Sequence, residues 1–248
     1  FIRKAAGMGS TNLERDPDTY DKKNAFCDIL IIGSGPTGLS AALTAGRSGA
    51  RVLIIDSSNV LGGQLTWELD QIDDQPALSW IQAAQKELKA MKNVTIAQRT
   101  TAFGYYDSNV VNAIESVSDH LPTPDTYSVR QRLWQIRAKK VIIATGATER
   151  PLVFSNNDRP GVMLASAARR YVNQFAVKPG NRAVIFANND DGYKTAVNLA
   201  EKGIDVRAVV DSRTQVNDFW KTKLEQIGVE LIQGSAVINT HGHFGLTG

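Results

Sequence analysis

The chain has 248 residues, room for one large domain or two small ones at about 100–200 residues per domain. Its 42% apolar and 21% charged content is that of an ordinary globular protein, and a net charge of +3 from scattered Lys and Arg argues against a nucleic-acid surface. No apolar run approaches the ~18 residues that span a bilayer, no signal-peptide pattern opens the chain, and a lone Cys27 excludes an internal disulfide or a Cys-x-x-Cys redox pair.

These features suit a cytoplasmic protein. The chain opens on Phe1 and stops inside "HFGLTG", which reads as a piece of something longer. Residues 1–25 are polar, carry turn formers in "RDPDTYDKKN", and are expected to be a lead-in arm. A buried-strand run at 28–32 then meets a glycine-rich turn, a small-residue helix over 36–48 and a second strand over 51–56, which together make a β-α-β unit.

That turn reads Gly33-Ser34-Gly35-Pro36-Thr37-Gly38, and an acid, Asp56, ends the next strand 18 residues after Gly38. In this context the glycines mark a dinucleotide site. Gly33 makes the tight turn, Gly35 leaves the backbone open to a pyrophosphate, and Gly38 lets the helix approach the sheet. Pro36 suits a first helical position whose N–H has no partner, and the helix N-terminus stabilises phosphate charge. Asp56 accepts hydrogen bonds from an adenosine ribose and repels a 2′-phosphate, and Ser57 and Ser58 offer no compensating cation, so NADP is disfavoured. Gly62 and Gly63 in "VLGGQL" fit the extended form of the fold that embraces a whole cofactor. Thr145 and Gly146, ending "VIIATGA", place backbone beside it.

Further along, 77–91 has helical spacing, with Leu78, Ile81, Ala84, Leu88 and Met91 on one face. The β-rich runs 94–98, 100–106, 109–117 and 126–137 read as an antiparallel meander, and "KKVIIATGA" as a separate strand of parallel type. A helix is expected over 164–175. A second β-α-β unit follows, with strands "RAVIFA" and "DVRAVVD" around a helix reaching Ala200, then a helix over 215–227 and a strand over 229–232. The fold class is therefore α/β, a two-dinucleotide-binding-domain fold of Rossmann type. Its expected divisions are the arm (1–25), a first domain with the meander (26–152) and a degenerate second domain (153–248).

The second copy puts Asn188, Asp190 and Tyr193 at the positions of Gly33, Gly35 and Gly38. A carboxylate at a helix N-terminus satisfies the N–H groups and excludes a phosphate. Tyr193 is expected to hold the helix off the sheet, and the copy to be structural. With one intact site and one cysteine, a relay of hydride through two nucleotides to a cysteine pair cannot run. "HGH" at 241–243 lacks the Cys or carboxylate company of a metal site, so none is expected. Cys27 is expected to pack rather than react.

The motifs "FIRKAAG", "DPDTYDK", "GSGPTGLSAA", "QRTTAFGYYD", "ATGATERPLVFSNNDRPGVML" and the glycine-less "ANNDDGYKTA" resemble the alpha subunit of heterotetrameric sarcosine oxidase over essentially the whole chain. The resemblance implies NAD+ held tightly in the first site, with FAD on a beta subunit that oxidises the amine. It also implies FMN at the alpha–beta interface, gamma and delta partners, and transfer of a one-carbon unit to folate by a part of alpha outside these residues. No catalytic residue is then expected here. The NAD-contacting positions it implies are the 33–38 turn, Thr37 above all, with Asp56, Ser57, Ser58, Gln64 and Ala102, the last toward the adenine. Ser57-Ser58 departs from the Glu-Arg often found there. Two other readings stand beside it: a subunit of opine-oxidase type with a working FAD in the same site, and a structural subunit without ligand.

Overall fold

The computed structural model describes residues 2–7, 9 and 13–247. In chain order the elements are α1 (Ile2–Ala5), β1 (Thr19–Ile32), α2 (Pro36–Arg47), β2 (Val52–Ile55), β3 (Gln71–Ile72), β4 (Gln75–Pro76), α3 (Ala77–Ala90), β5 (Val94–Ala97), β6 (Thr100–Tyr106), β7 (Val110–Ser116) and β8 (Val129–Ile143). They continue with α4 (Ala165–Phe175), β9 (Arg182–Ala187), α5 (Asp191–Glu201), β10 (Asp205–Asp211), α6 (Asp218–Gln226) and β11 (Glu230–Gln233). The chain divides into two compact units. The first runs to Leu61 and resumes over Ala84–Thr145, and the second is Gly62–Ala83 with Gly146 onward.

The first unit is built on a six-stranded sheet in the order β5-β2-β1-β8-β7-β6. β5, β2, β1 and β8 are mutually parallel, while β7 runs antiparallel to both β8 and β6. All four residues of β2, "VLII", are buried, the pattern of a strand covered on both faces. Leu30, Ile31, Leu39, Ile54 and Ile55 are fully buried, each contributing about 1.5–3 kcal/mol by leaving water. α2 can approach closely because it is made of small residues. A Cβ at its Gly46 would lie 2.5 Å from the Met91 sulfur.

Residues 94–97 do not belong to the meander: β5 is the parallel edge strand beside β2, and only β6, β7 and the first half of β8 run antiparallel. The two strands expected over 126–137 and 141–147 are one, β8, whose early residues serve both β7 and the extended start of β1. β1 begins at Thr19, so the last seven residues of the expected arm are strand, paired with β8 with one register shift between Thr19 and Tyr20. On α3, Ala77, Ile81, Ala84 and Leu88 form the buried face, and Leu78 is 53% exposed on the other side.

The second unit carries a three-stranded parallel sheet, β11-β10-β9, as the second β-α-β pattern requires. Ile185, Val209, Tyr193, Ala196, Leu199 and Leu224 lead its core. Gly62–Ala83 belongs to this unit. It contains a 3-10 turn at Gly63–Thr66 and the β3–β4 hairpin, whose turn residues Asp73 and Asp74 both adopt positive φ. Glu68 in this segment is buried and pairs with the equally buried Arg169 of α4 at 2.9 Å and with Lys194 of α5 at 2.8 Å. The Glu149 carboxylate accepts from the N–H groups of Ala165 and Ser166, at 3.0 and 2.8 Å, and so caps α4. No helix among the described residues is long and apolar enough to cross a membrane.

Candidate dinucleotide site

The glycine turn lies where β1 ends and α2 begins, at the carboxyl edge of the parallel strands, which is where this architecture binds ligands. Gly33 has φ +101°, and a Cβ there would sit 2.3 Å from the Ala144 carbonyl oxygen. A Cβ on Gly38 would meet the Gly33 carbonyl oxygen at 1.9 Å. Gly35 differs, because nothing lies within 4 Å of the position its Cβ would take. Two glycines are thus required by the protein's own packing, and the middle one keeps open space above the backbone. Gly35 is the N-cap of α2 with Pro36 at its first position. The first-turn N–H groups beyond it have no intrahelical acceptor, which suits a phosphate. Thr37 is exposed at this end.

Asp56 follows β2. One carboxylate oxygen accepts from both the N–H and the hydroxyl of Ser34, each at 2.6 Å, and the other accepts from the Ser58 N–H at 2.7 Å. These bonds fix the carboxylate plane while leaving Asp56 half-buried and Ser57 and Ser58 exposed. Ser34 is fully buried. The sequence does not single it out, because any small residue satisfies that position of the turn. Ala102 lies on β6 paired with Ala113 and packs on the first unit's core. Thr145 follows β8 beside Gly33, whose missing Cβ would lie 3.2 Å from the Thr145 α-carbon.

The remaining candidates, Gly62, Gly63, Gln64 and Gly146, belong to the second unit. Gly62 has φ +120°, and a Cβ there would strike Ile81 at 2.6 Å. Local packing therefore demands that glycine whatever it binds. Gln64 is exposed in the 3-10 turn. Among the described residues no group of three or more His, Cys, Asp or Glu could hold a metal ion. Cys27 is buried, and burial pushes its thiol up to about 11, so it is inert at neutral pH.

In the second unit β9 ends at Ala187 and α5 begins at Asp191, which puts Asp190 at the N-cap, as Gly35 is in the first. The chemistry differs from expectation. The Asp190 carboxylate makes no cap hydrogen bond and pairs with Arg213 at 2.9 Å, while Asn189 Oδ1 accepts from the Asp191 N–H at 3.0 Å. Tyr193 does not hold the helix away. It is fully buried, and the close approach is made one residue earlier by Gly192, whose Cβ would lie 2.5 Å from that of Ala187. The Tyr193 hydroxyl donates to Asp211, the fully buried counterpart of Asp56, and Arg213 donates to the same carboxylate through its N–H, Nε and Nη2. Burial works against the charge, but Arg213 and Tyr193 together hold the Asp211 carboxyl below the usual range. Burial, then Asp211, pushes the Tyr193 phenol up.

Fold and site define the class: an α/β, FAD/NAD(P)-binding architecture of Rossmann type with two nucleotide-binding units. The sequence profile of a family described as FAD dependent oxidoreductase matches residues 28–146. The fold is shared with L-proline dehydrogenase from P. horikoshii, at a TM-score of 0.60 and 23% identity, covering 90% of this chain and 38% of that one. Within the class the chain is similar to the alpha subunit of sarcosine oxidase. It is 47% identical to that of Rhizobium meliloti (strain 1021) over 97% of its own length and 24% of the relative's. An opine oxidase subunit of Agrobacterium tumefaciens (strain Ach5) is 28% identical over 75% of this chain and 37% of its own. The chain thus spans about a quarter of the length of the sarcosine oxidase subunit it matches.

Proposed function

We propose that the chain binds one adenine dinucleotide in the first unit, as part of the alpha-type subunit of a heteromeric amine oxidase of sarcosine oxidase type. The observation that carries the reading is the pairing of an open Gly35 with a carboxylate, Asp56, held in place by Ser34 and Ser58. The glycine turn leaves room for a pyrophosphate, and the acid waits for a ribose. The 33–38 turn, Thr37, Asp56, Ser57, Ser58, Ala102 and Thr145 are the contacts proposed in this unit. Gly62, Gly63, Gln64 and Gly146 are proposed from the sequence.

The nucleotide we assign is NAD+. Asp56 disfavours a 2′-phosphate, and identity to the sarcosine oxidase relative exceeds that to the opine oxidase relative, 47% against 28%. In this reading FAD and FMN belong elsewhere in a complex with beta, gamma and delta subunits. That complex demethylates sarcosine oxidatively to glycine, forms hydrogen peroxide and passes the one-carbon unit to tetrahydrofolate, in the cytoplasm. The second unit is a structural copy.

One observation favours a second reading. The family profile over 28–146 is that of FAD-dependent enzymes, so FAD in the same site is the rival. Mass spectrometry and absorbance of nucleotide released by heat from the purified protein separate them. NAD+ is the expected species, yellow FAD in equal amount to the chain supports the rival, and no nucleotide of either kind overturns both.

A further inference from the structure

The sequence places no cation at the adenosine end of the site, since Ser57 and Ser58 follow Asp56. The structure supplies one from a different strand. Three consecutive residues after β5 lie along the 56–59 loop. The Gln98 amide donates to the Asn59 carbonyl at 2.7 Å, the Arg99 N–H to the Ser58 carbonyl at 2.9 Å, and the Thr100 N–H to the Asp56 carbonyl at 2.7 Å. Arg99 is thereby fixed against the loop that carries the ribose-binding acid.

Two features of Arg99 need a reason. Its φ is +52°, in the left-handed region that a long side chain rarely adopts and that any glycine would take at less cost. The residue as a whole is half-buried, and its guanidinium makes no hydrogen bond or ion pair among the described residues. A cation without a partner, carried on a strained backbone, is the kind of local cost that functional sites retain.

The order of the strands says what the partner is. Along the carboxyl edge the glycine turn follows β1, Asp56 follows β2, and Arg99 follows β5, which lies outside β2. A dinucleotide with pyrophosphate over the first and ribose over the second carries its adenine toward the third. We infer that Arg99 is a binding residue for the adenine ring, its planar guanidinium stacking on the base. A guanidinium suits this role because it is planar, permanently charged and weakly hydrated, unlike an ammonium.

This inference rests on the proposed dinucleotide reading, and the test separates the two. NAD+, FAD and AMP are titrated into the full chain freed of copurified nucleotide, with the Arg99→Gly, Arg99→Lys and Gly35→Asp variants alongside. Glycine tolerates the positive φ, so Arg99→Gly is expected to keep or raise the melting temperature of the free protein. Its dissociation constants for whichever of the three probes the unaltered chain binds, AMP among them, are expected to rise together by about tenfold. Arg99→Lys is expected to recover only part of the loss. Unchanged binding by Arg99→Gly, or full recovery by lysine, overturns the stacking role while leaving the site intact. An effect confined to NADP+ in a parallel titration assigns Arg99 to a 2′-phosphate and also overturns it. Binding of no probe by the unaltered chain, indistinguishable from Gly35→Asp, sinks the dinucleotide reading and this inference with it.

Discussion

Tyr193 donates its hydroxyl hydrogen to the Asp211 carboxylate in the second unit, and Ser34 does the same for Asp56 in the first. The two acids end equivalent strands, but their surroundings set different fates. A small serine fixes Asp56 and leaves it half-buried, whereas a tyrosine and an arginine cover Asp211 entirely. Tyr193 also stacks on Trp220, with ring centroids 6.0 Å apart. The same backbone plan thus supports an acid that stays open to solvent and one that is sealed.

Tyr193→Phe keeps the ring and its stacking but removes the donor to a buried carboxylate. Hydrogen bonds to charged groups contribute about 1.5–3 kcal/mol. Arg213 remains on Asp211, so a loss near the lower end is expected in urea unfolding. An unchanged midpoint would show that Arg213 alone satisfies the acid.

Asp28 accepts from the backbone and side chain of Arg51 and pairs with Lys139 at 2.9 Å, and these partners hold its carboxyl well below the usual range. The folded state therefore binds a proton on Asp28, as on Asp211, less readily than the unfolded chain, whose aspartates titrate near ~3.9. Their stabilisation is complete above that value and is lost as pH falls through the folded values. Melting temperatures should drop steeply below about pH 4. Asp28→Asn should start lower at pH 7 and fall less steeply, and curves that stay parallel to the unaltered protein's would refute the assignment.

The two glycines of the turn should respond oppositely to substitution. Gly35→Asp enters open space, so the fold should survive while dinucleotide retention is abolished by a carboxylate at the pyrophosphate position. Gly38→Ala drives a methyl group to 1.9 Å from a carbonyl oxygen and should destabilise by about 1–3 kcal/mol or more. Calorimetric unfolding and nucleotide content of both purified variants check this. A Gly35→Asp protein that retains normal nucleotide would move the site elsewhere.

These contrasts show how much the sequence made legible. The turn and Asp56 can be read directly because Gly33 and Gly38 answer backbone requirements that no other residue meets, and Gly35 keeps the space above the backbone open. Ser34 and Arg99 cannot, because their roles depend on which strands become neighbours. The four residues of β5 look the same in a parallel or an antiparallel pairing, so sequence alone puts the strand that sets Arg99 beside Ser58 in the meander. Asp190 resembles a cap in the sequence, but Arg213 competes for its carboxylate from beyond the next strand. Gly192, one position away from its counterpart Gly38, shows the helix approach shifting by a residue when a tyrosine must be housed.

Glu68 and Arg169 form a buried pair whose side chains are 7% and 4% exposed, with Lys194 and Asp191 attached to it. Removing one charge from such a pair leaves the other uncompensated, which costs about 3–5 kcal/mol. Glu68→Gln keeps the shape and leaves Arg169 its contact to Asp191, so about 3 kcal/mol is expected. Glu68→Leu combined with Arg169→Met should cost less than the sum of the single changes, because the two sites are coupled. Additive losses in denaturant unfolding would mean that the pair contributes no coupling.

In the second unit an acid, Asp190, stands at the N-cap position that Gly35 holds in the first. Asp190→Gly removes that charge, yet we expect no gain of nucleotide. Asp211, the group that would meet a ribose, stays buried under Tyr193 and Arg213, and the Arg213–Asp190 pair is half exposed and contributes only about 0–1 kcal/mol. The variant should therefore lose little stability, while the helix keeps the Asn189 bond to the Asp191 N–H. Titration of NADH and NADPH into the unaltered protein and into Asp190→Gly, each carrying Gly35→Asp to silence the first unit, isolates the second. Heat of binding in the micromolar range with either nucleotide, before or after the change, would show that Tyr193 and Arg213 yield to a ligand and that this unit is a working site.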